Sequence, residues 1–327
     1  MDPGLGALMP PEAGYLLLVN PEAGKGRALR KAALMKECLA RRGLPFRAAL
    51  TAGPGSARAI AWEFCRAEGA RGVVGVGGDG TMQEIAEGMA GAAGEGPRIP
   101  MPLCILPGGS GNDFVAGLGR PPARGPDDLA ARLAAGDARA VDVITANGRA
   151  FLNIASIGLD AMIVKNAAGL KGKLGRLSYK AAIAGSILSY RPVGLKIETE
   201  DKIETEGRTE AGTAGKIEMQ GPFTLVAVCN GQFYGGGICI APRARADDGR
   251  ITVCAARGAT RPRTLALLPM LLMKLHGRMR EVSFFKCREL RITPLGESAS
   301  LCLDGNLHEV RGEIRFRLRP GMLDVIA

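Results

Sequence analysis

The sequence predicts a two-domain chain: a three-layer α/β domain over residues 1–137, then an antiparallel β-sandwich over residues 138–327. Three observations lead there. From residue 15 to about 137, apolar runs alternate with helical patterns, which implies βαβ units and a mainly parallel sheet. Near Ala138 the pattern changes to short alternating strands at regular spacing, as in a sandwich. A length of 327 residues with 46% hydrophobic content is also enough to fill more than one core.

The elements follow in order. "YLLLVN" (15–20) reads as a buried strand, followed by a helix to about Arg42. "PFRAALT" (45–51) is a second strand, and a helix capped by Ser56 runs to Glu68. "RGVVGVG" (71–77) is a third strand, with a helix from about Gly80 to Ala90; "MPLCILP" (101–107) is a fourth, with a short helix from about Gly111. The helix and turn around 126–138 link the domains. Beyond them, strands are expected at 192–199, 223–230, 250–256, 281–285, 289–293, 299–303 and 313–319. Helical stretches are expected at 162–190 and 262–277, and 200–216 reads as an exposed hairpin extension or loop.

Composition narrows the function. The net charge of +11 suggests a polyanionic partner: nucleic acid, nucleotide phosphates or an anionic membrane. Aromatics make up only 4%, which argues against base-stacking surfaces, so no nucleic acid is expected. None of the eight cysteines is spaced C-x-x-C and most lie in apolar runs, as reduced core thiols of a cytoplasmic protein do. Two histidines leave no His-rich metal site. The N-terminus lacks a basic start and a long apolar core, so it does not read as a signal peptide. Leu265–Leu275 is too short to span a bilayer, so the chain is expected to be soluble or to rest on a membrane surface.

Three glycine-rich turns each follow a strand directly: "NPEAGKG" (20–26), "GGDGT" (77–81) and "LPGGSGND" (106–113). In a parallel sheet such turns all emerge at the carboxyl edge, where α/β proteins bind ligands. Small residues there let a ligand approach the backbone. Each turn also carries polar chemistry: Asn20 and Lys25, then Asp79 and Thr81, then Ser110, Asn112 and Asp113. Gly75, Gly77 and Gly80 match G-x-G-x-x-G, but a dinucleotide site expects an acid at the end of the next strand, and that strand ends in Leu106-Pro107-Gly108. The P-loop reading also fails, because "GKG" at 24–26 lacks both the spacing and the following Ser or Thr.

These turns resemble those of the diacylglycerol kinase catalytic-domain superfamily, in its bacterial soluble lipid kinase branch (diacylglycerol kinase and YegS-like). "FLNIASIGLDAMI" (151–163), "GGGICIAPRARADDGRITV" (235–253) and "LDG" (303–305) are similar to its later segments, so the likeness runs from about residue 15 to the C-terminus. It implies an α/β nucleotide-binding domain followed by a β-sandwich, with the active site between them, and transfer of the γ-phosphoryl of ATP to a lipid hydroxyl with Mg2+. The same resemblance assigns residue roles. Gly77, Gly78, Gly80, Thr81, Gly109 and Ser110 would cradle phosphate. Asn20, Thr51 and Asn112 would touch the nucleotide, and Lys25 would pair with phosphate or be solvated. Asp79, Asp113 and Asp142 would address magnesium directly or through water. Asp113 also reads as a helix N-terminal acid and Asp142 as a strand-end residue. The turn "RADDGRI" (245–251) resembles a structural magnesium site formed by Asp248 and the carbonyls of Arg245 and Arg250; it also reads as a plain turn.

The catalytic base is the main departure. The family reads D-G-E where this chain has Asp304-Gly305-Asn306, and asparagine cannot accept a proton at neutral pH. Asp304 is the expected base, with a turn-forming role as the alternative. Val115-Ala116 replaces an arginine-containing pattern, and Gln83 replaces an asparagine, with Glu84 following. Two basic segments, 165–180 and 261–280, are expected to face an anionic membrane or to be ordinary sandwich-covering helices. The expected partners are thus a diacylglycerol-like lipid, the inner membrane surface and a second copy in a homodimer. The alternatives are an NAD or sphingoid-base kinase, or a nucleotide- or lipid-binding homologue impaired by Asn306.

Overall fold

The computed structural model describes residues 14–164, 166, 186, 190–199, 204–206, 216–258 and 269–327. The chain divides into two compact units. One holds the residues up to Val141 together with Gly321–Ala327, and the other holds Asp142–Pro320. The division thus falls after 141 rather than 137, and the last seven residues join the first unit.

In the first unit, β1 (Gly14–Val19), α1 (Arg27–Arg41), β2 (Phe46–Leu50), α2 (Ser56–Cys65), β3 (Ala70–Gly77), α3 (Asp79–Ala93), β4 (Leu103–Pro107), α4 (Asp113–Gly117) and α5 (Pro126–Ala135) follow in order. β1 lies between β2 and β3, β3 pairs with β4, and every pairing is parallel. The strands read as continuous apolar runs because the sheet is covered on both faces. Leu17, Val19, Val74, Val76 and Leu106 pack on Ala28, Met35 and Leu39 of α1 and on Leu129 and Leu133 of α5. On the opposite face α3 lies so close to β3 that a Cβ at Gly75 would stand 2.8 Å from Ile85 Cδ1. These are the expected three layers.

The expected Ser56 cap on α2 is not what the structure shows. Gly55, at φ 81°, is the N-cap, and Ser56 Oγ instead accepts from the Ala52 amide at 2.9 Å. Glu84 of α3 closes this helix end, accepting from the amides of Gly55 at 2.8 Å and Ala57 at 3.2 Å. A carboxylate from a neighbouring helix does the work of a local hydroxyl, which a local sequence rule cannot detect.

The remaining strands are β5 (Arg139–Ala146), β6 (Arg149–Phe151), β7 (Ile154–Gly158), β8 (Val193–Thr199), β9 (Glu204–Glu206), β10 (Glu218–Cys229), β11 (Phe233–Tyr234), β12 (Ile238–Cys239), β13 (Ile251–Arg257), β14 (Val282–Cys287), β15 (Glu289–Pro294), β16 (Ala299–Leu303), β17 (Asn306–Val310) and β18 (Ile314–Ile326). In the second unit the pairing is antiparallel. The first half of β10 pairs with β8, and its second half with β7 and β13. Inward-facing Phe151, Ile157, Ile197, Phe223, Val228, Phe285 and Phe316 share one apolar core. Phe151 and Phe316 meet edge-on at 6.4 Å between centroids.

The 13-residue β18 has two roles: its start pairs antiparallel with β15, and Val325 and Ile326 pair parallel with Leu103 and Cys104 of β4 in the first unit. Most of the expected helices at 162–190 and 262–277, and of the loop at 200–216, lies outside the described residues; within the last, 204–206 form β9, paired with β14.

Candidate phosphate and metal site

The parallel sheet fixes where the chemistry lies. Val19 is in register with Leu50 and Val76, and Val76 with Leu106, so four strands end at one edge. Asn20 and Thr51 continue that edge, donating their amides to Val76 O and Val19 O, each at 2.9 Å. The three glycine turns interlock there. Gly24, at φ 61°, lies so close to the third turn that a Cβ would stand 2.2 Å from Gly108 O. A Cβ on Gly109 would stand 2.6 Å from Gly78 Cα. No other residue fits either place without moving backbone.

Side chains then link the turns. Asn20 Nδ2 donates to Thr81 Oγ1 at 2.9 Å, joining the first turn to the second. Asp79 Oδ1 accepts from the Phe114 amide at 3.1 Å, joining the second to the third. Asn112, in the left-handed region at φ 58°, closes the third turn by bonding both the amide and the carbonyl of Gly109. The other oxygen of Asp79 approaches one of Asp113: their Oδ2 atoms lie 3.1 and 3.0 Å from where a Gly111 Cβ would stand. Glycine at 111 keeps that space open between two carboxylates. A hard divalent cation that retains waters suits such an oxygen pair, so the residues present fit magnesium.

Helix ends supply the positive side of the edge. α1 and α3 both start at this edge without a side-chain cap, which brings the positive ends of their dipoles there; α2 is sealed by Glu84. Lys25 is exposed at φ 56°, and Ser110 is exposed on the third turn. Lys31, which the sequence did not single out, reaches from α1 to donate to Pro107 O at 2.5 Å, placing an ammonium beside the third turn. Only the packing of α1 against β4 reveals it. Gln83 is buried and donates to Glu87 at 3.1 Å.

The other expected site residues belong to the second unit. Asp304 sits in the left-handed region at φ 45°, and its carboxylate accepts from the amides of Leu152 (2.8 Å), Asn153 (3.1 Å) and Ile154 (2.7 Å). Its lone pairs are thus directed at the backbone that opens β7. Asn306 is the first residue of β17. Asp142 is buried, and its Oδ2 accepts from the Gly249 amide at 2.8 Å, so it braces the 245–251 turn. In that turn Asp248 Oδ1 accepts from the Arg250 amide at 3.0 Å, while Oδ2 pairs with Lys286 Nζ at 2.9 Å; Arg245 pairs with Asp247 at 3.2 Å. A carboxylate already paired with an ammonium is a poor ligand for a second cation, so the structural magnesium expected here does not fit. Among the described residues no group of three or more His, Cys, Asp or Glu is arranged to hold a metal. The same unit buries Asp160, whose carboxyl is pushed up to about 6 by desolvation, against the opposing effect of hydrogen bonds from Ser156 and backbone amides.

Residues 14–146 match the model of the diacylglycerol kinase catalytic domain, and residues 153–327 match the YegS C-terminal NAD kinase beta sandwich-like domain. A Pseudomonas aeruginosa protein named "Probable lipid kinase YegS-like" is 32% identical over 95% of this chain and 92% of its own length. A Mycobacterium tuberculosis diacylglycerol kinase is 25% identical over 84% of this chain and 83% of its own. A Bacillus anthracis crystal structure, provisionally named a diacylglycerol kinase, superposes with a TM-score of 0.71 at 26% identity, covering 96% of this chain and 97% of that one.

Proposed function

The chain belongs to the family of diacylglycerol kinases and YegS-like lipid kinases, and from that premise we propose that it transfers the γ-phosphoryl group of ATP to a hydroxyl of a diacylglycerol-like lipid. The observation that carries the reading is the pair of carboxylates, Asp79 and Asp113, flanking Gly111 beside the uncapped start of α3. An acid in a phosphate cradle repels its ligand unless a cation stands between them. Asp79 and Asp113 would hold magnesium there, and the ion would neutralise phosphate charge.

The chain's own residues do the rest. The start of α3 and the exposed Ser110 hold phosphate, while the amides of Thr81, Gly108 and Gly109 close the turns themselves and Asn20 holds Thr81 in place. Phosphoryl transfer proceeds through a loose transition state, so positioning and charge outweigh proton removal from the acceptor hydroxyl. That suits Asp304, which would have to release backbone amides before it could act as a base. We assign it the positioning of Leu152–Ile154.

We place the reaction at the inner surface of the membrane. Among the described residues no helix is long and apolar enough to cross a bilayer. Leu272 and Met273 are 64% and 57% exposed beside Lys274, a pairing suited to peripheral contact with an anionic surface. The test is incubation with labelled ATP and magnesium, presenting diacylglycerol, sphingoid bases and NAD in turn. Label in phosphatidic acid supports the proposal; label in NAD alone, or in none of the three, overturns it.

A further inference from the structure

The 243–250 turn has a feature of its own. Lys286 lies on β14, opposite Thr252 of β13, so the sheet fixes its backbone beside the turn that feeds β13. Its Nζ stands 2.9 Å from Asp248 Oδ2 and 3.4 Å from Arg243 O. The side chains of Lys286 and Asp248 are only 14% and 19% exposed. The other Asp248 oxygen takes the Arg250 amide, and the adjacent Gly249 amide is held by Asp142. One ammonium thus binds the turn's carboxylate and one of its carbonyls from a fixed strand.

We infer that Lys286 is the built-in cation of this turn and makes the second unit independent of a divalent ion there. A divalent ion on Asp248 would lie within a few ångströms of the ammonium in a largely desolvated place, where like charges repel strongly. A strand-anchored ammonium carries its charge without a binding equilibrium, whereas a bound ion stabilises the fold only in proportion to its concentration. The inference does not depend on the lipid kinase reading, and it is tested by stability rather than turnover.

The experiment compares thermal unfolding in EDTA with unfolding in millimolar magnesium for four full-length proteins: wild type, Asp248→Asn, Lys286→Met and the double variant. Ions bound at Asp79 and Asp113 affect all four alike and cancel. The expected result is the same metal response in wild type and Asp248→Asn. Lys286→Met should gain a further rise of about 2–4 °C in magnesium, and the double variant should lack it. A metal response in wild type that Asp248→Asn removes would overturn the inference, as would Lys286→Met with no gain. Should Lys286→Met not fold, Lys286→Gln takes its place, and the wild-type comparison with Asp248→Asn still decides.

Discussion

Two aspartates that read alike in the sequence differ in what surrounds them. Asp304 has three backbone amides on its carboxylate, and charge-assisted hydrogen bonds of this kind contribute about 1.5–3 kcal/mol each in favourable cases. Asp304→Asn should therefore lower stability by roughly 2–4 kcal/mol in urea unfolding, and kcat measured well below the melting range should fall modestly. Abolished turnover at unchanged stability would make Asp304 the base instead. Asp160 is the opposite case, an acid buried with no cationic partner among the described residues. Its folded pKa of about 6 lies above the unfolded value of 3.8, so the stability it confers is complete below 3.8 and lost as pH rises through about 6. Asp160→Asn should be the more stable protein at pH 8, by about 2–3 kcal/mol, and equal to wild type near pH 3.5. An equal difference at both pH values would contradict this. "LDG" and "GLDA" show that an acid is present; only the fold shows which amides meet it.

Among the elements, strands were more legible than helix ends. β1 to β4 lie within two residues of their expected positions, because buried parallel strands announce themselves as short apolar runs ended by glycine or a polar residue. β17 was missed, since "NLHEV" is half-exposed and carries little periodic signal. The start of α2 was misread because its cap, Glu84, comes from another helix. That arrangement makes its own prediction. Glu84→Gln keeps the shape but removes the charge at a helix N-terminus, so it should destabilise the first unit by about 1 kcal/mol, read as a shift in the urea midpoint. No change would mean that the amides of Gly55 and Ala57 find other partners without cost. The glycine turns were legible as a set. The contacts between them, Gly24 against Gly108 and Gly78 against Gly109, were not, because spacing along the chain says nothing about distance across it.

For the whole molecule, the division into an α/β unit and an antiparallel unit was readable from the change in pattern near residue 138. The return of residues 321–327 to the first unit was not, because a strand carries no mark of which partner it will pair with. The resemblance grouped Asp142 with Asp79 and Asp113; the fold adds that the Asp142 carboxylate accepts from the Gly249 amide. What remains at the carboxyl edge of the first unit is a compact set: three interlocked turns, two uncapped helix starts, and two carboxylates around Gly111. The measurement that tests this account most directly is transfer of labelled phosphate from ATP to diacylglycerol in anionic vesicles, run with wild type and Asp79→Asn and paired with thermal unfolding of both. The account predicts magnesium-dependent label in the lipid, reduced on the order of 10²-fold in Asp79→Asn with the unfolding temperature nearly unchanged. Undiminished transfer by the variant, or no lipid labelling by a wild type that binds ATP, would contradict it.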